Sequence, residues 1–198
     1  MRLMLVGQKW LGERVLGALR GAGHEVAFVA APAGDRLALA AADAGIYTGD
    51  PGRQLVAGWV PPGVELMVLA HAHCYVTTGA RRRARLGAIG YHPSLLPRHR
   101  GRDAVRWAIH MRESVTGGTV YWLTDRADAG PIIAQDWCHI RPEDDPTSLW
   151  RRELGPMGVR LLSEAVAAVV AGKAAGVPQN EAMATWEPAF ERLPLRTG

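Results

Sequence analysis

Cysteine is scarce: the chain has two, Cys74 and Cys138, and no CxxC pair. That argues against a disulfide framework and against a cysteine-rich zinc site, and leaves buried thiols as the plain role. No apolar run approaches the roughly 20 residues of a membrane span, so no membrane partner is expected. Met1–Val6 is apolar but too short for a signal-peptide core, and Gln8, Lys9 and Trp10 follow without a small-residue cleavage pattern. It reads as the first strand of a cytoplasmic protein. The segment Gly7–Gly12 has glycine at both ends but neither the GxGxxG spacing nor the Lys-Ser/Thr pair of a P-loop, which weakens any dinucleotide reading. The basic run Arg81–Arg85 has no interleaved aromatic residues, which argues against a nucleic-acid surface. Repeats and low-complexity segments are absent.

What is present fits a soluble globular protein: 198 residues, 48% of them hydrophobic and 21% charged. One domain spanning residues 1–198 is expected, with the tail from about residue 177 packing back onto it. The net charge of +4 favours anionic ligands. Arg81–Arg85 supplies much of it, either as a solvated helix face or as a site for a phosphate or carboxylate tail.

Periodicity gives the elements. Arg2–Val6 reads as a buried strand, and Leu11, Val15 and Leu19 recur at helical spacing until Gly21 and Gly23. Glu25–Ala30 is a second strand, Asp35 caps a helix to Ala44, and Ile46–Thr48 is a short third strand. A short helix is expected over Pro51–Trp59, then a strand buried on both faces over Val64–Ala70. Thr78–Arg85 reads as helix, Gly87–Tyr91 as strand and Arg102–Met111 as helix. Gly117–Thr124 and Pro131–Ile140 form a hairpin around the polar turn Asp125–Gly130. Asp145-Pro146 starts a last helix that Gly155-Pro156 should kink or split. This order predicts an α/β fold with a mixed sheet.

Two stretches carry candidate chemistry. His71-Ala72-His73-Cys74 resembles metal-ligand material, but no second cluster has zinc spacing, so no metal is expected and a pocket wall is the better role. Tyr91–Gly101 (YHPSLLPRHRG) places His92 where a strand ends and a proline-flanked loop begins. A histidine beside a carboxylate is an economical unit for moving protons near neutral pH, and Asp128 in the hairpin turn is a possible partner. Spacing alone does not bring the two together.

The ordered set Tyr91–Gly101, Gly117-Gly118 and Asp128-Ala129-Gly130 resembles the signature of the folate-dependent formyltransferases. That group includes glycinamide ribonucleotide formyltransferase, the catalytic domain of methionyl-tRNA formyltransferase and the hydrolase domain of 10-formyltetrahydrofolate dehydrogenase. The resemblance covers essentially the whole chain and is nearest to the last, where Gly7-Gln8, Trp122 and Val177-Pro178-Gln179 also have similar counterparts. It implies a Rossmann-like formyltransferase fold with a mixed, mainly parallel sheet and helices on both faces. It implies 10-formyltetrahydrofolate as donor and tetrahydrofolate as product. His92 would assist proton movement and Asp128 would orient it. The family's asparagine, which polarises the formyl oxygen two residues before the histidine, is replaced by Gly90, as it is also replaced in the hydrolase domain. Leu69, His71, His73, Cys74 and Tyr75 would form one wall of the pteridine pocket, and Asp125, Ala127 and Gly130 the other. The Arg81–Arg85 patch would attract the folate tail.

The function this implies is transfer of a one-carbon group, formyl or formimidoyl, to the amine of a small molecule. Hydrolysis that releases formate and a catalytically degenerate folate-binding module are the alternatives. The chain ends without the further domain that methionyl-tRNA formyltransferase uses, so tRNA is not an expected acceptor. No motif identifies the acceptor or the oligomeric state.

Overall fold

A computed structural model of the chain describes residues 1–190; residues 191–198 of the expected domain lie outside the described residues. Strand β1 (Arg2–Gly7) lies in the middle of the sheet, where Leu3, Met4, Leu5 and Val6 are all fully buried. That is why it reads as a continuous apolar run rather than an alternating one. Helix α1 (Lys9–Gly21) buries the stripe Leu11, Val15, Leu16 and Leu19. Strand β2 (Glu25–Ala30) leads to α2 (Arg36–Asp43), whose first turn is capped by the Asp35 carboxylate accepting from Leu37 N–H at 2.9 Å.

Three elements differ from expectation. The third strand, β3, is Thr48–Gly49 rather than 46–48, because Gly45 and Ile46 are still bonded back to the end of α2. Residues 51–59 do not form a helix: they give a short strand, β4 (Gln54–Leu55), and a 3-10 turn, Ala57–Trp59. Pro51, Gly52 and Gly58 weaken a helix there. Pairing wins instead, with Tyr75 N–H on the Arg53 carbonyl at 3.0 Å and Thr77 N–H on the Leu55 carbonyl at 3.1 Å.

Strand β5 (Leu66–Ala70) is buried throughout, and β6 (Tyr75–Val76) pairs with β4. The third correction is α3, which spans only Thr78–Arg81. Arg85 N–H is drawn to the Val64 carbonyl at 3.1 Å, which unwinds the remainder.

Strand β7 (Ala88–His92), α4 (Ala104–His110), β8 (Val115–Trp122) and β9 (Ile132–His139) follow. Then come α5 (Pro146–Leu149), a π-helical turn over Trp150–Leu154, and α6 (Gly155–Val170). Pro156 cannot supply the amide that a regular helix needs at that point, and the widened turn lies just before it.

The sheet order is β3-β2-β1-β5-β7-β8-β9, parallel through β7 and antiparallel at the last two strands. One face, with Leu3, Leu5, Val68, Ile89 and Tyr91, packs on α1 and α6. The other, with Met4, Val6, Met67, Leu69 and Ala88, is covered more thinly by Val60, Val64, the α3 residue Ala80 and Ala84 just beyond it. Tyr91 shows how close the helical layer lies. A Cβ on Gly118 would fall 2.3 Å from its hydroxyl and one on Gly158 2.8 Å from its ring, while the hydroxyl donates to the Leu154 carbonyl at 2.7 Å. Strands β1, β5 and β7 therefore end side by side, with Gly7 paired to Ala70 and Leu69 to Gly90. A crevice opens beyond those carboxyl ends. Among the described residues, no helix is long and apolar enough to cross a membrane.

Candidate active site

His92 is the last residue of β7 and pairs across to Thr119 on β8. Pro93 has no N–H to extend the ladder, so the chain leaves the sheet there. The loop that follows is tied down: Thr119 Oγ1 donates to the Ser94 carbonyl at 2.7 Å, and Ser94 Oγ to the Arg98 carbonyl at 2.6 Å. It returns so that the His99 carbonyl lies 2.7 Å from His92 Nε2. A carbonyl can only accept, so Nε2 carries the hydrogen and, in the neutral ring, Nδ1 presents its lone pair.

That nitrogen faces Asp128. His92 Nδ1 is 3.8 Å from Asp128 Oδ2, with the two side chains 9% and 17% exposed. The separation is beyond a hydrogen bond but short for a charge pair. The carboxylate is fixed from two other sides: Tyr121 hydroxyl donates to Oδ1 at 2.6 Å and Gly101 N–H to Oδ2 at 2.7 Å. Burial pushes the Tyr121 phenol well above its ordinary range and the adjacent Asp128 charge adds to this, so it is a neutral donor. The arrangement accommodates a proton on Nδ1, which would turn two facing acceptors into an ion pair.

Both groups open onto a cavity of about 1010 Å³ at the crevice. Leu69, His71, His73, Cys74 and Tyr75 line it, as do Gly90 and Ala127. The 71–75 segment and the 127–128 turn thus meet around the His92 pair. Asp125 and Gly130 do not line it. Asp125 turns away to Arg81 and Thr78, and Gly130 sits so close to the Trp122 carbonyl that a Cβ would fall 1.6 Å from its oxygen.

In the Arg81–Arg85 patch, Arg82, Arg83 and Arg85 are exposed as on a solvated face, and Arg81 departs from it. Arg81 is 8% exposed, pairs with Asp125 and donates to the Thr124 carbonyl at 2.7 Å, so it anchors the 124–128 turn rather than offering a free charge. Arg85 pairs with Glu65 at 2.7 Å.

The histidines of the 71–75 wall do not assemble a metal site; among the described residues no group of three suitable ligands exists. Burial, then Lys9, lowers the His71 pKa, so the ring that tilts against Trp150 at 5.8 Å is a neutral imidazole at neutral pH. His73 lies 3.4 Å from Asp50, but the contact is poorly aligned and both its ring nitrogens lack a directed hydrogen bond. Burial, then Asp50, pushes the Cys74 thiol up to about 11, so it is no thiolate nucleophile.

Several residues escaped the sequence reading. Tyr121 faces Gly90 across the β7–β8 pair, a register no motif announces. His99, 2% exposed, lies between Glu113 at 3.1 Å and Glu187 at 3.0 Å, close but without well-directed bonds. Backbone strain concentrates here as well. Of the six non-glycine residues with positive φ among the described residues, Lys9, His71, Asp103 and Asp128 line the cavity and His99 supplies the carbonyl on His92. Such conformations cost of order 1 kcal/mol or more each and cluster at functional sites.

A family model described as formyl transferase matches residues 54–166. The human mitochondrial 10-formyltetrahydrofolate dehydrogenase is 34% identical over 94% of the chain, and the chain spans only 22% of that relative's length. The methionyl-tRNA formyltransferase of Chlorobium chlorochromatii is 36% identical over 72% of the chain and 44% of its own length. Among solved structures, glycinamide ribonucleotide transformylase 1 from Symbiobacterium toebii superposes with a TM-score of 0.73 at 26% identity, covering 87% of this chain and 88% of its own.

Proposed function

Because the chain belongs to the formyl transferase family, we propose that it takes a one-carbon unit from 10-formyltetrahydrofolate and delivers it to the amine of a small molecule. The observation that carries this reading is the His92–Asp128 pair, held at 3.8 Å at the base of a cavity of about 1010 Å³. That space is at the upper end of what small-molecule pockets offer. The residues present fit the folate. Apolar Leu69 and the backbone of 71–75 form one wall and Ala127 the other, and the undirected ring nitrogens of His73 are polar groups awaiting a partner.

The folate supplies an activated formyl group. In this reading His92 takes, at Nδ1, the proton that the attacking amine must lose and returns it to the folate nitrogen that would depart as its bond to the one-carbon unit breaks, while Nε2–H stays on the His99 carbonyl. Asp128, oriented by Tyr121 and the Gly101 amide, is the charge partner that faces the resulting imidazolium.

Gly90 favours a second reading. The position next to the reacting group has no side-chain donor, and loss of one such donor commonly costs on the order of a hundredfold in rate. Water could then compete with a poorly promoted amine, making the chain a hydrolase that releases formate.

Incubation with 10-formyltetrahydrofolate alone, and then with a panel of small amines plus methionyl-tRNA, separates the readings. Tetrahydrofolate formed only with a small amine supports transfer, and steady formation without acceptor supports hydrolysis. Turnover that survives in both His92→Ala and Asp128→Ala sinks the assignment of the pair.

A further inference from the structure

Two loops surround the acid–base pair: the turn that carries Asp128, and the segment 99–103, which supplies the carbonyl on His92 Nε2 and the Gly101 amide on Asp128. Gln179 is the side chain that reaches from the main chain of the first to Arg100 of the second. Gln179, in the segment after α6, accepts through Oε1 from Arg100 Nε at 3.1 Å and from Arg100 Nη2 at 2.7 Å. Through Nε2 it donates to the carbonyls of Asp128 at 2.9 Å and Gly130 at 2.8 Å. A guanidinium can only donate and a carbonyl can only accept, so the amide has one possible orientation and is saturated at both ends. Arg100 is itself 5% exposed and is completed by Glu181 at 2.8 Å.

We propose that Gln179 is a positioning residue: it sets where Asp128 stands relative to His92, without touching the reacting atoms. The need for such a brace is visible in the geometry. Asp128 occupies a left-handed conformation at φ 50°, which the turn must hold against relaxation. Its carboxylate is tied to the 99–103 segment only by Gly101 N–H, next to the Arg100 that Gln179 grips. Releasing Gln179 frees the main chain of Asp128 and that of Gly130 together. The carboxylate can then turn away from Nδ1, which has no hydrogen bond holding it.

The inference rests on the reading of His92 and Asp128 as the acid–base pair, so the experiment separates the two. The unsubstituted protein is compared with Gln179→Met, Asp128→Asn and, as a control that releases the tail's other, exposed hold on the same turn, Arg126→Ala, which loses the contact to Glu181. Two quantities are measured: the 15N ring signals of His92 at fixed pH, and turnover of 10-formyltetrahydrofolate. Gln179→Met is expected to displace the His92 signals in the direction Asp128→Asn does. It should also lower kcat about tenfold, the order expected when hydrogen bonds to a site are lost, while Arg126→Ala changes neither. Unmoved His92 signals with kcat within twofold of the parent overturn the inference. A loss that follows a lowered melting temperature and appears equally in Arg126→Ala overturns it too, because it would mark general loosening of the tail. If the apolar variant folds less well, Gln179→Asn, one methylene too short to span both loops, gives the same comparison. Full activity in Asp128→Asn would instead defeat the underlying reading, whatever Gln179 does.

Discussion

Tyr121 and Asp128 are joined by a 2.6 Å hydrogen bond that crosses from the last full strand pair of the sheet to the turn beside His92. It is the link by which a rigid element holds the orientation of a residue on a hairpin turn. Tyr121 is buried and stays protonated, so it acts as a fixed donor.

Tyr121→Phe removes that donor and leaves Gly101 N–H in place. A hydrogen bond to a charged acceptor is worth about 1.5–3 kcal/mol. Turnover should drop about tenfold and stability by about 1–2 kcal/mol. Steady-state kinetics and urea unfolding report the two separately.

Gly90→Asn restores a side-chain amide to the cavity. A Cβ there would sit 3.0 Å from Leu123 Cδ1 and 3.5 Å from Leu69 Cβ, so Leu123 must shift its tip. The substitution should cost about 1 kcal/mol through overpacking, relieved in combination with Leu123→Ala. If a missing donor limits transfer, the ratio of amine formylation to formate release should rise, by up to about a hundredfold. An unchanged ratio in the relieved double variant would show that Gly90 is not what limits transfer.

Gly130→Ala puts a methyl group against backbone that cannot yield, 1.6 Å from the Trp122 oxygen. The hairpin must open locally, which should cost about 2 kcal/mol or more. Asp128, two residues away, should move with it, so catalysis should fall further than melting temperature alone accounts for. Circular dichroism melts paired with initial rates test this.

Acid should loosen the tail at a stated point. Glu181 is held down at about 2 by Arg100 and then Arg126. Its ordinary value is 4.5, so the stabilisation is fully present above that pH and is lost as pH falls toward about 2. Trp186 fluorescence should register tail release in that interval, and Glu181→Gln should remove the transition. The Arg126–Glu181 contact is exposed on both sides, so high salt should weaken that part of the hold.

The sheet was legible because its strands are either continuous apolar runs, as at Leu66–Ala70, or a hairpin around a polar turn. Helix α1 was legible because Leu11, Val15 and Leu19 keep a 3.6-residue period. His92 stood out through its flanking prolines and the ordered motif around it. The start of β3 was misread because Gly45 and Ile46 stay bonded to the end of α2, while the other misreadings come from partners far along the chain. Residues 51–59 pair with 75–77 rather than coil, and Arg85 follows Val64 out of α3. Arg81 looked like surface charge because its partner Asp125 lies across the fold. Tyr121 went unseen, and Gln179 stood out only as part of the Val177-Pro178-Gln179 likeness, because their roles depend on which loops meet and neither residue type announces such a meeting.

Residues 177–190 touch the site at Asp128, His99, Arg100 and Gly101, and these contacts have a consequence for the order of events during synthesis. The seven strands and both hydrophobic layers can be in place once α6 has emerged. The site cannot, because Gln179, Thr185 and Glu187 have yet to leave the ribosome, and each must close a loop of many tens of residues to reach its partner. A nascent chain halted just after α6 should therefore hold a protected core around an unfinished site, and competence should appear only with the last short segment.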